Sequence, residues 1–278
     1  MAITAPAFTA TRIWKRADFA VSMATRHFVT MAYLGMRFHG WQVQPNASSV
    51  QETVEKAFST LFRMPLQVTG AGRTDAGVNA SMMVAHVDLP VCIDDDARLV
   101  RSLNSILGRD IVVRSVHPVG PDAHARFDAT SRTYHYYAHT HKNPFMGGLS
   151  WLAPAGLDFD AMNAAAKMLT ETSDFTSFSK LHTDVKTNIC RVTRALWRRA
   201  DVGEALPGAP EWVFEITADR FLRNMVRAVV GTLVEVGRGR LSVEGFRDVI
   251  ARRDRCAAGT SMPGEPLFLH RITYPYEI

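Results

Sequence analysis

Gly70-Ala71-Gly72-Arg73-Thr74-Asp75-Ala76-Gly77 sets one carboxylate beside one guanidinium in a run otherwise made of small residues. Glycine accepts backbone angles and close approaches that a side chain forbids, so such a run can lie directly against a bulky ligand and present Asp75 to it as a nucleophile. The same residues also suit an Asx-type turn, in which Thr74 and Asp75 do no more than satisfy backbone donors. A phosphate-cradling P-loop fits poorly, because the GxxxxGK[ST] order is missing and no lysine stands ready for phosphates.

Outward from this segment, period-2 and period-3.6 patterns define the surrounding elements. β-prone alternating residues over 27–33 predict a strand, followed by the turn-like Phe38-His39-Gly40-Trp41. Ser49-Val50-Gln51-Glu52 matches a capping box, and Val50, Val54, Ala57, Phe58 and Leu61 then recur at helical spacing. Strands are predicted over 67–71, 81–89 and 111–118, and Asp94-Asp95-Asp96 opens a helix that runs to about residue 107. The later half repeats the grammar, with strands over 132–139, 192–199, 212–218 and 267–274 and helices over 158–169, 224–236 and 243–251. Residues 201–210, with two Pro and two Gly, read as a hairpin loop.

This order predicts an α+β fold of two α/β-sandwich-like halves with mostly antiparallel sheets, joined across a central cleft. Val119-Gly120-Pro121 interrupts regular structure and sets the expected boundary. Residues 1–26 are then an N-terminal extension, 27–120 the domain carrying the Asp75 loop, and 121–278 the C-terminal domain.

The 278 residues, 47% hydrophobic and 21% charged, suffice for one large core or two ordinary ones. No apolar run approaches the roughly 20 residues that span a bilayer, and the N-terminus lacks the apolar core of a secretory signal, so the cytoplasm is the expected compartment. Cys92, Cys190 and Cys256 have neither CxxC nor zinc-ligand spacing, which leaves no disulfide framework and no structural metal to expect. His135, His139 and His141 share strand parity, with His117 and His124 nearby, but no carboxylate joins them at useful spacing. The net charge of +5 suits a polyanionic partner. Basic residues crowd the second half, among them Lys180, Lys186, Arg191, Arg194, Arg198, Arg199, Arg220, Arg223, Arg227, Arg252, Arg253 and Arg255, although solvated faces would look alike.

Extended to Val78-Asn79-Ala80, the Asp75 segment resembles the signature of the tRNA pseudouridine synthase A family. Similarity continues in Gly40-Trp41-Gln42, His124-Ala125-Arg126-Phe127, Arg132-Thr133-Tyr134, Asp174-Phe175-Thr176-Ser177-Phe178, Asn224-Met225-Val226-Arg227 and Leu267-Phe268-Leu269, and so covers nearly everything after residue 27. Asn79 departs from the family, which usually has histidine there; an asparagine keeps hydrogen bonding but cannot become cationic.

The resemblance implies the pseudouridine synthase fold and isomerisation of uridine to pseudouridine at positions 38 to 40 of the tRNA anticodon arm, without cofactor or metal. It implies Asp75 as the catalytic carboxylate, either adding to the sugar or removing a sugar proton, with Arg227 paired to it and favouring its charged form. Tyr134 would stack on the uracil and serve proton transfer at C5, Arg73 would help displace the base and contact phosphate, and Leu267 would pack against the uracil. A homodimer with tRNA across both subunits is also implied. Two other functions compete on the residues alone: a noncatalytic RNA-binding module, and a glycoside-cleaving hydrolase that uses Asp75 with a second acid.

Overall fold

Thr25–Tyr33 forms β1, whose buried Phe28, Val29, Met31 and Tyr33 anchor the N-terminal core. The computed structural model describes residues 24–180, 187–200 and 211–278, so the expected loop over 201–210 and most of the expected extension over 1–26 lie outside the described residues. Helix α1 (Val50–Phe62) starts where Ser49 accepts the Glu52 amide, and buries Val50, Val54, Ala57 and Phe58 at the predicted spacing. The Glu52 carboxylate turns outward to Lys56 rather than back to the cap, so only half of a capping box forms.

Two strands bracket the segment of interest: the two-residue β2 (Thr69–Gly70) ends at its first glycine and the 11-residue β3 (Asn79–Leu89) begins just after it. Helix α2 (Asp96–Ile106) is capped by Asp95, which accepts the Arg98 amide, and leads to β4 (Ile111–Pro118). The second half contributes β5 (Ser131–His139), β6 (Trp151–Leu152) and the Asp158-capped α3 (Phe159–Lys167). It continues through β7 (Val192–Arg199), β8 (Trp212–Ala218), α4 (Met225–Gly237), the Ser242-capped α5 (Val243–Arg252) and β9 (Leu267–Thr273).

The strands form one continuous sheet in the order β4-β1-β3-β9-β5-β8-β7, with β2 on β3 and β6 on β5. Neighbours are antiparallel except β3 beside β9 and β6 beside β5. The short parallel pairing of Asn79 and Ala80 with Phe268 and Leu269 therefore sutures the two halves. One apolar cluster gathers α1 and α2 on the N-terminal half, and the other gathers α3, α4 and α5 on the C-terminal half. Helix α4 is apolar on almost every face and is accordingly buried nearly throughout. The Gly120-Pro121 break falls in the connection from β4 to β5, while the last strand serves both cores: Leu267 belongs to the second, and Leu269 and Ile272 to the first. Tyr134 touches both clusters, which puts it at the seam.

Candidate active site

The Asp75 segment is held from behind by a strand tyrosine and a tryptophan. The Tyr33 hydroxyl meets the Thr74 hydroxyl at 2.9 Å, and the Trp41 amide donates to the Thr74 carbonyl at 3.2 Å. The Trp41 indole lies against Gly70, where an added Cβ would stand 2.5 Å from the ring. Gly40 has φ +96° and would set a Cβ 2.4 Å from the Thr74 carbonyl oxygen, so the Gly40-Trp41 pair wraps this loop because position 40 lacks a side chain. Trp41 is core, 3% exposed. Above Gly72 the space is open, with no heavy atom within 4 Å of a built Cβ.

Thr74 thus spends its polar groups inward, and Asp75 turns toward the seam. Its carboxylate accepts no backbone amide among the described residues, so the Asx-turn alternative does not form. Instead, Arg227 Nη1 lies 3.6 Å from one carboxylate oxygen and Arg223 Nε 3.8 Å from the other. Both separations exceed a hydrogen bond, so each oxygen is electrostatically paired yet keeps lone pairs for a ligand. Arg227 is fixed, its Nε donating to the Met262 carbonyl at 2.6 Å. Arg223 is the exposed member, in the turn just before α4, where Asn224 with φ 66° precedes the first helical residue.

Tyr134 stands on β5 with its ring edge-on to Phe221 at 5.0 Å. Burial first, and then the neighbouring Asp75 charge, push its hydroxyl well above the ordinary phenol range, so it remains a proton donor at neutral pH. A bulge supports its placement: pairing of β5 with β9 shifts between Thr133 and Tyr134, leaving His270 unmatched. Tyr136 shares its face but is fully buried, with a hydroxyl that finds no partner among the described residues. Of the two tyrosines, Tyr134 packs against both cores and Tyr136 belongs to the C-terminal core alone.

Arg73 is exposed and has no protein partner among the described residues. Leu267, opposite Tyr136, is 4% exposed and packed into the C-terminal core. Asp75, Arg227 and Tyr134 thus come together in direct contact or electrostatic reach, Arg73 lies two residues from Asp75 in the same loop, and Leu267 sits among apolar neighbours. Reading by sequence missed Arg223 and Phe221 as site groups. Arg223 appeared only as one basic residue among many, because it lies in the turn before α4 and shares no helical period with Arg227.

Asn79 carries structure rather than charge. Its side-chain oxygen accepts the Gly35 amide at 2.7 Å and its nitrogen donates to the Glu265 carbonyl at 2.5 Å, tying the first half to the turn before β9. Asn79→Leu leaves both backbone groups unpaired in a buried place and is expected to cost about 2 kcal/mol, measured by denaturant unfolding. Asn79→His, which can donate and accept, should cost less.

The histidines separate. His135 stacks on His270 at 3.7 Å, His139 bonds Ser150 and His141 meets Glu211. Among the described residues, no three His, Cys, Asp or Glu side chains gather as a metal-holding group.

A family model described as tRNA pseudouridine synthase matches residues 29–128 and 165–275. The chain is 55% identical over 254 residues to a tRNA pseudouridine synthase A of Parabacteroides distasonis, covering 91% of this chain and 97% of that protein. Identity to the protein of the same name in Porphyromonas gingivalis is 56% over 254 residues, covering 91% and 98%. A more distant relative of that name in Exiguobacterium sibiricum is 34% identical over 246 residues, covering 88% and 95%.

Proposed function

The chain belongs to the tRNA pseudouridine synthase family, and from that premise we propose that it isomerises uridine to pseudouridine at positions 38 to 40 of the tRNA anticodon arm, with Asp75 as the catalytic carboxylate. The observation that carries this reading is a carboxylate faced by two guanidiniums at the seam of the sheet, beside a protonated tyrosine.

The reaction breaks the bond from N1 to C1′, turns the uracil, and joins C5 to C1′. C5 loses its hydrogen as a proton and N1 gains one, so the product is an isomer and neither water nor an oxidant is consumed. A target base is stacked in the RNA, and extruding it costs a few kcal/mol that phosphate contacts elsewhere must offset. Arg73 at the loop surface supplies a guanidinium able both to stack on the vacated neighbour and to fork onto a phosphate. Asp75 acts at the sugar, where a carboxylate serves equally to add to C1′ or to take the C2′ proton. Arg227 faces it with the opposite charge. Tyr134 offers a ring for the uracil and a neutral hydroxyl that serves the C5 proton as a relay, taking it only as it passes its own on. Leu267 gives the pocket its apolar far wall.

The working assembly in this reading is a homodimer with tRNA across both copies, acting in the cytoplasm. No helix among the described residues is long and apolar enough to cross a membrane.

With tRNA tritiated at uracil C5, tritium release is expected with the RNA strand intact and no free uracil. Free uracil would point to a hydrolase, and binding without release would point to a binding module; either result overturns the proposal.

A further inference from the structure

Phe127 is 74% exposed, yet it is held as firmly as a core residue. Its ring lies 4.2 Å from that of His124, and the Arg126 guanidinium sits 5.8 Å from its centroid. His124 in turn meets His86 edge-on at 4.7 Å, and His86 stacks on the buried Phe28. A column of rings therefore rises from the core and ends on a bare aromatic face. Phe145, nearly as exposed, has no ring or cation against it among the described residues.

The loop beneath this outer ring is pinned at almost every residue. His124 Nδ1 accepts the amides of both Arg126 and Phe127, and His86 Nδ1 accepts that of Ala125. The Tyr274 hydroxyl donates to the Ala125 carbonyl and the Tyr276 hydroxyl to Asp128. Arg132 Nη2 completes the clamp, donating to the Arg126 carbonyl at 2.7 Å and to the Ala71 carbonyl at 3.1 Å. One nitrogen thus ties the residue before Phe127 to the start of the Asp75 loop, which places the loop bearing the ring beside the loop bearing Arg73.

Leaving a large apolar ring in water while fixing its orientation is unfavourable unless another flat group covers it when the protein works. We propose that Phe127, flanked by Arg126, is a stacking platform for an unpaired base of the RNA next to the nucleotide being isomerised. The inference rests on the tRNA-modifying reading above. A base fits better than a protein surface because the ring is single and its immediate neighbours are a guanidinium, an imidazole and a carboxylate. The guanidinium matches a phosphate and the ring a base's π-face, while the Asp128 carboxylate is already taken by the Tyr276 hydroxyl and the His124 amide. An apolar protein partner would need an apolar surround.

The test uses full-length protein and tRNA anticodon arms carrying 2-aminopurine at each unpaired loop position in turn. The wild type should quench one position on binding. Phe127→Ala should abolish that quench and weaken binding about tenfold, with an unchanged salt dependence because no phosphate contact is lost. Phe127→Trp should restore both, and Phe127→Leu, apolar but without a π-face, should not. Arg126→Gln should instead lower the log-log salt slope by about 1. Normal quenching and affinity in Phe127→Ala overturn the platform, as does loss of self-association with quenching intact, which assigns the ring to a second copy. Tritium release by the wild type separates the outcomes: if it is present while Phe127→Ala behaves normally, the platform alone fails. If it is absent, the underlying reading fails first.

Discussion

Asp75→Ala is expected to lower tritium release from C5-labelled tRNA at least about 10³-fold, because it removes the carboxylate that faces Arg223 and Arg227. The fold should barely notice. Among the described residues the Asp75 side chain makes no hydrogen bond that supports the backbone; Thr74 does that work through Tyr33 and Trp41, and the Asp75 carbonyl keeps the Val78 amide in the variant. Its two charge pairs are at 3.6 and 3.8 Å, and Arg223 is largely exposed, so their loss costs less than about 1 kcal/mol. Arg227 keeps its bond to the Met262 carbonyl. Removing a negative charge between two arginines leaves the cleft more positive, so tRNA affinity should be equal or tighter, most visibly at low salt. Asp75→Asn sharpens the result. It preserves shape and hydrogen bonding yet can neither add to the sugar as a carboxylate nor accept its proton, and it should be as inactive as the alanine. A variant at either extreme retaining turnover within tenfold of wild type would remove Asp75 from the chemistry.

The contrast between what the sequence announces and what it hides follows the range of the interactions. Ser49 and the Asp94-Asp95-Asp96 run are legible as helix starts because the capping side chain, Ser49 or Asp95, bonds an amide three residues on. The alternation of β1, β5 and β8 is legible because period 2 is local. The strand expected over 67–71 shrinks to Thr69–Gly70, which pairs with His86 and Ala85 before the chain turns under Trp41. β6 gives no signal at two residues. The suture of β3 to β9 is invisible for a different reason: it depends on Asn79 reaching the Glu265 carbonyl from the far end of the chain. The site divides in the same way. Asp75 and Arg73 stand out within one short motif, whereas Arg223 meets Asp75 only because α4 begins at the seam.

Arg132 is the position where such hidden, long-range bonds concentrate. Its guanidinium donates to four main-chain carbonyls: Nη1 to Ala129 and Asp219 at 2.8 Å each, Nη2 to Arg126 at 2.7 Å and Ala71 at 3.1 Å. These oxygens belong to the start of the Asp75 loop, the loop bearing Phe127, and the turn after β8 that leads to Phe221 and Arg223. Burial lowers the pKa of Arg132, but an arginine remains charged in a protein, so the four bonds are charge-assisted. Arg132→Ala is expected to cost about 3–4 kcal/mol, less than the sum of four such bonds because water reaches part of the vacated space. For a chain of this length that is a fall in melting temperature of about 6–16 °C, read by calorimetry. Unlike Asp75→Ala, the variant should lose stability and activity together. At a temperature where it remains folded, kcat should fall about 10–100-fold, because the loops carrying Asp75 and Arg223 are no longer held in mutual register. Arg132→Lys separates charge from geometry: an ammonium restores the positive charge but lacks the planar fork that spans four oxygens, so it should recover only a minor part of either loss. Full rescue by lysine would mean that Arg132 acts as a charge, and an unchanged melting temperature in Arg132→Ala would mean that the seam is held by something else.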